Sequence, residues 1–162
     1  DQEKILEIIS KDENLKSAKL LHDNFDTLKS LAVSKFWGDL ENQLEFRYFG
    51  EVEPTISNPK NSWVHFQTKS KKKLYIEHEN NEAIYWGIEK QDIVNTDDYD
   101  LEDFDIDDNR VSKYFDSNDI NKIYLNDFNS KNTFYLINES HRKKIIEKMV
   151  DEINDYIDRL GL

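Results

Sequence analysis

The stretch from Ser62 to Lys90 constrains the fold most, because three runs of β-branched and aromatic residues stand in it between two short polar breaks. Trp63, Val64 and Phe66 form the first run, Leu74, Tyr75 and Ile76 the second, and Ile84, Tyr85, Trp86 and Ile88 the third. Such side chains fit a pleated, half-buried surface. Lys69-Ser70-Lys71-Lys72 and Glu79-Asn80-Asn81-Glu82 have the polar character of turns. Short connections join antiparallel neighbours, while parallel strands need a long crossover, so a three-stranded antiparallel meander is predicted.

Helices are predicted on both sides of it. Ile5, Leu6, Ile8 and Ile9 cluster on one side of a short first helix, and Ser10-Lys11-Asp12-Glu13 matches a capping box that opens a second helix with Leu15, Leu20 and Leu21. Asp23 or Asn24 offers a further N-cap, after which Phe25, Leu28, Ala32, Phe36, Leu40 and Leu44 recur at helical steps as far as Arg47. Tyr48, Phe49, Gly50, Pro54, Asn58 and Pro59 suggest a first strand and a loop. Beyond the meander, Arg110 to Phe115 reads as a helical turn, and Lys122 to Leu125 and Thr133 to Ile137 as two further strands or extended segments. The last helix follows a cap at Asn138 or Ser140, carries Ile145 or Ile146, Met149, Ile153, Tyr156 and Leu160 on one stripe, and stops at Gly161. Helices, then strands, then a helix make the class α+β: an antiparallel sheet of the meander plus one to three more strands, packed with N-terminal helices and a C-terminal helix.

At 162 residues and 37% hydrophobic composition, one core and one domain over 1–162 are expected, since a chain of this size buries roughly 70% of its unfolded surface. Only two prolines and four glycines leave no flexible linker. With no cysteine there is no disulfide, thiolate metal site or thiol nucleophile, which fits a cytoplasmic location. No run of about 18 apolar residues reads as a membrane span. The chain begins at Asp1 and its one methionine is Met149, so it reads as part of a longer protein.

The formal charge of -12 is unevenly placed. Nine acidic residues and no basic one lie between Asp92 and Asp108, leaving 25 acidic against 22 basic residues elsewhere. Asp97, Asp98, Asp100, Asp103, Asp105, Asp107 and Asp108 form a candidate partner-binding acidic loop or sheet edge. An EF-hand does not fit: begun at Asp103 it meets Asp108 and Tyr114 where glycine and glutamate belong, and begun at Asp105 it meets Arg110 in place of glycine. An acidic chain repels phosphates, but Lys69, Lys71, Lys72 and Lys73 form a local basic turn that is a candidate nucleic-acid contact. His22, His65, His78 and His141 form no H-x-x-x-H pair and are expected on the surface or beside turns. Glycines at 38, 50, 87 and 161 write neither a G-x-G-x-x-G nor a P-loop, and no G-x-S-x-G elbow is present.

Asn24 to Leu44 (N-F-D-T-L-K-S-L-A-V-S-K-F-W-G-D-L-E-N-Q-L), Ile84 to Glu89 (I-Y-W-G-I-E) and Leu125 to Ile153 together resemble the region that follows the nuclease domain in bacterial PD-(D/E)XK nuclease-like proteins. That resemblance covers under half of the chain. It implies an upstream catalytic domain holding magnesium through an Asp and a D/E-x-K pair. No lysine of this chain has Asp or Glu two positions before it, so no catalytic residue, metal ligand or cofactor site is carried over. The resemblance then makes this chain a non-catalytic accessory domain that partners the upstream domain. The alternative is a stand-alone acidic protein-binding module, such as a toxin-immunity protein or a DNA mimic, docking through charge complementarity.

Overall fold

The structure, a computed structural model, describes residues 1–47, 56–57, 61–93 and 95–162. The meander is present as β2 (Asn61–Gln67), β3 (Lys73–Glu79) and β4 (Tyr85–Glu89). Around it, β1 (Ile56–Ser57), β5 (Asp105–Ile106) and β6 (Arg110–Tyr114) complete a six-stranded antiparallel sheet in the order β1-β2-β3-β4-β6-β5. Of the stretch read as a first strand and loop, Ile56–Ser57 supplies the strand, while Tyr48, Phe49, Gly50, Pro54, Asn58 and Pro59 lie outside the described residues.

Period-two alternation sorts the strands into two faces. The register sets Val64 opposite Ile76, Phe66 opposite Leu74, Leu74 opposite Ile88 and Ile88 opposite Val111, and all of these are buried on the inner face. Helices α2 (Asp12–Arg47) and α4 (Glu139–Leu160) bring Phe36, Leu40, Leu44, Ile146, Met149 and Ile153 into that same core. The two turns between the meander strands bend as their residues allow: Lys71 and Asn80 take positive φ, 63° and 50°, a region that asparagine tolerates better than most residues.

Helix α4 starts where the Asn138 carboxamide accepts the His141 amide at 2.8 Å and ends on Gly161 at φ 68°. Asp39 on α2 pairs with buried Arg142 on α4 at 2.8 Å, and Arg47 pairs with Asp151, so the two helices run parallel. Arg142 also donates to the Leu136 carbonyl at 3.0 Å, which fastens the loop before α4 to the same joint.

Four expectations are corrected. Residues 12–47 form one continuous helix, because Asp23 and Asn24 stay helical and turn their side chains to Lys19 and the Leu20 carbonyl instead of capping. The Ser10 capping box is not made: its hydroxyl donates back to the Glu7 carbonyl, closing α1 (Gln2–Ile9). Arg110–Tyr114 is a strand, its hydrogen bonds going to β4 and β5. Lys122–Leu125 makes only one described backbone bond toward the sheet's neighbourhood, from the Ile84 amide to the Ile123 carbonyl, and residues 131–137 are the short helix α3 (Lys131–Phe134) followed by a 3-10 turn. Ile123, Leu125 and Leu136 join the core without entering the ladder, while Phe134, Tyr135 and Ile137 remain exposed. His78 departs from the surface expectation too, being 1% exposed on the inner face opposite Ser62; burial lowers its pKa.

Two substitutions test this framework. Arg142→Ala is expected to lower stability by about 2–3 kcal/mol, less than a fully buried pair loses because Asp39 is partly exposed, as chemical denaturation would show. Gly38 lies inside α2 with open space where a Cβ would sit, so Gly38→Ala should raise stability by up to ~1 kcal/mol in the same assay.

Candidate functional site

The outer face of the sheet, turned away from α2 and α4, is built from the positions that alternation leaves over. His65 and Gly87 flank Tyr75, Trp63 and Tyr85 flank Glu77, Tyr114 faces Tyr85, and Arg110 faces Glu89. These pairings put an aromatic row across four strands. His65, Tyr75, Tyr85 and Tyr114 meet edge to face in succession, with ring centroids 6.2, 6.4 and 6.1 Å apart. That geometry suits ring quadrupoles.

Gly87 makes the row possible. A Cβ there would collide with the Tyr75 hydroxyl and with the Val111 carbonyl, so the absence of a side chain lets the Tyr75 ring lie across β4. Over that ring runs Arg110, its guanidinium 5.3 Å from the centroid. The side chain ends on Glu77 at 2.8 Å and on the Tyr85 hydroxyl at 3.4 Å. Glu77 is 8% exposed, so this pair closes the middle of the face rather than offering a free charge. At the end of the row the Tyr114 hydroxyl donates to Glu82 at 2.5 Å.

Beside the row lies a depression of about 260 Å³ lined by Glu79, Glu82, Tyr85, Asp105, Arg110 and Tyr114, among others. Its two cations are already engaged, Arg110 by Glu77 and Lys113 by Asp116, and the rest of its charged lining is carboxylate. Burial pushes the Tyr75 and Tyr85 phenols well above their ordinary range, and the bond to Glu82 pushes Tyr114 up to about 12. All three stay neutral at physiological pH, with the Tyr114 proton held by Glu82 and the Tyr75 hydroxyl enclosed.

The candidate acidic loop is divided between two uses. Asp97, Asp98, Asp100, Asp103, Asp105, Asp107 and Asp108 are all exposed. Asp105 reaches the outer face as part of edge strand β5. Asp107 instead accepts the amides of Asn109 and Arg110, both at 2.7 Å, and turns the chain into β6. Asp103 accepts from the Tyr156 hydroxyl at 3.1 Å, tying the loop to α4. Among the described residues no group of three or more His, Asp or Glu is arranged to hold a metal ion.

The lysine turn sits at the opposite end of the hairpin. Lys69 and Lys71 are exposed. Lys72 donates to the Asp92 carbonyl at 2.5 Å, and the Lys73 amide to the Asp92 carboxylate at 2.6 Å. Start of the acidic segment and basic turn are therefore one structure, and phosphate approaching Lys69 or Lys71 meets the Asp92 charge nearby.

The sequence reading did not single out Tyr75, Glu77, Glu82, Tyr85, Arg110 and Tyr114 as a site. Its signal was there in part: with β3 and β4 aligned, the odd-numbered positions from 73 to 79 and Tyr85 share a face. Arg110 and Tyr114 required β6 to be recognised as a strand.

Compared with known proteins, the chain matches no family model, no curated protein and no solved structure, so the site is interpreted from its geometry. No helix among the described residues is long and apolar enough to cross a membrane.

The raised phenol pKa values have a pH consequence. Unfolded tyrosines ionise near pH 10 while these stay protonated, so the folded state holds more protons and stability falls as pH rises from about 10 toward 12. An ultraviolet phenolate titration should show four late-titrating tyrosines, these three and Tyr156, whose pKa burial raises as well, and Glu82→Gln should move Tyr114 back toward the ordinary value.

Proposed function

We propose that this chain is a non-catalytic, acidic protein-binding module whose outer sheet face receives a basic, arginine- or lysine-bearing segment of a partner. The observation that carries this is the tyrosine row beside a carboxylate rim whose two cations are already paired, Arg110 with Glu77 and Lys113 with Asp116. Tyrosine rings attract guanidinium and ammonium groups through their faces, and neighbouring carboxylates fix the cation by charge-assisted hydrogen bonds. The formal charge of -12 favours the same class of partner, chiefly by speeding encounter. Tyrosine is also the residue type that interfaces use for large, ordered contact area.

Under the nuclease resemblance the module is an accessory domain, and the basic segment belongs to its own upstream neighbour or to that neighbour's target. As a stand-alone protein it matches the immunity-protein alternative, with a basic toxin surface as partner. The absence of cysteine supports a cytoplasmic setting in either case.

Isothermal titration with an oligo-arginine peptide tests the reading. Binding is expected to weaken as salt rises, and to fall at least several-fold in Tyr114→Ala and in Asp105→Asn. Equal binding of an oligo-glutamate peptide, or tighter binding of a single-stranded oligonucleotide lost in Lys69→Ala/Lys71→Ala, would overturn it in favour of the basic turn.

A further inference from the structure

Strand β5 is the last in the sheet order, and no strand among the described residues pairs with its outer side. The Asp107 amide donates to the Arg110 carbonyl at 3.0 Å, so positions 105 and 107 turn their backbone groups toward β6 and Ile106, between them, turns its own away. Val111, opposite Ile106, is paired with Ile88 of β4 on its other side. The amide and carbonyl of Ile106 therefore face the open edge. That edge is one residue long, because two positions earlier the Phe104 amide already donates to the Leu101 carbonyl at 3.0 Å.

The Ile106 side chain is left uncovered as well. Register places it on the inner face beside fully buried Val111, yet Ile106 is 47% exposed. The inner face thus runs one position further than its cover. Asp105 and Asp107, on either side of Ile106, belong to the outer face, where both line the depression with Glu82 and Tyr114.

Charge decides what can lie along this edge. Residues 92–108 hold nine acidic side chains and no basic one, so -9 of the chain's -12 sits in the segment that carries β5. Charged side chains keep other strands off an edge, and here the charge has a single sign. A second copy of β5 is repelled, as is any acidic strand, whereas a strand bearing Lys or Arg is attracted.

We infer that the partner's basic segment binds as an added strand along β5, with an apolar residue opposite Ile106 and a basic residue on each side of it. Residues directly opposite each other share a face. The residue that exchanges both backbone bonds with Ile106 lays its side chain against the uncovered isoleucine, and its two neighbours point to the outer face beside Asp105 and Asp107. Only two backbone bonds are made, so they set the register, while the carboxylates and the tyrosine row hold the cations. The inference rests on the outer face being the binding surface and adds how the segment lies on it.

The probe is the end-capped peptide Thr-Lys-Val-Lys-Val-Lys-Thr, compared by isothermal titration with Thr-Val-Lys-Lys-Lys-Val-Thr, which has the same composition and charge. The alternating peptide is expected to bind several-fold tighter. Methylating its valine amides leaves the charge intact but removes the donor to the Ile106 carbonyl, and should weaken it at least about threefold. Ile106→Pro removes the outward amide without breaking a ladder bond, as an edge strand tolerates, and should weaken the alternating peptide by a similar factor with the far-ultraviolet circular dichroism unchanged. In the unsubstituted chain, deuterium exchange at the Ile106 amide should slow when that peptide binds. Equal binding of the two peptides, methylation without effect, or an Ile106 amide that exchanges as fast in the complex as alone overturns strand addition while leaving the outer face a site for basic segments. Binding of neither peptide overturns both.

Discussion

The contact of Trp86 with Phe104 and Tyr156 joins the three parts of the molecule that have the least reason to stay together. The rings meet pairwise edge to face, with centroids 5.4 to 5.6 Å apart. Trp86 belongs to the central sheet, Phe104 to the acidic segment and Tyr156 to α4. Without Phe104 the segment would be a string of like charges with little apolar area to hold it, and such strings remain solvated and unfolded. With Phe104 and Leu101 both buried, each side chain contributes roughly 1.5–3 kcal/mol, and the carboxylates between them spread outward from a fixed backbone.

Lys113 completes that junction and explains how a lysine comes to occupy an inner-face position. It stands opposite Trp86 in the ladder and is 5% exposed. Its ammonium bonds Asp116 at 2.8 Å and the Tyr156 hydroxyl, and lies 3.9 Å from the Tyr156 ring centroid. Burial works against the charged form, but Asp116 and Tyr156 outweigh it and the pKa is raised. A cation held in this way offsets part of the acidic segment's charge from beneath. The inner and outer faces therefore solve the same problem differently: Lys113 is enclosed by aromatics, whereas Arg110 lies over them and ends on Glu77.

This division also decides what could be seen in the sequence. The meander was legible because Trp63 to Ile88 combines strand formers with short polar breaks, and α4 because its stripe, Asn138 and Gly161 all agree. The strand β6 was not, since Arg-Val-Ser-Lys-Tyr shows one aliphatic residue and hides its second inner-face residue behind a lysine. The run Thr133 to Ile137 misled in the opposite direction: its strand-forming residues serve a tight turn in which the Thr133 hydroxyl bonds the amide and carbonyl of Tyr124, both at 3.0 Å. His78 looked polar and turned out to be core, as alternation with Leu74 and Ile76 on one strand requires. The outer-face site depended on the Arg110–Glu77 pair, 33 residues apart, and no local pattern reports a contact of that range. For the same reason the nuclease resemblance, drawn from local hydrophobic landmarks, carries no information about this face.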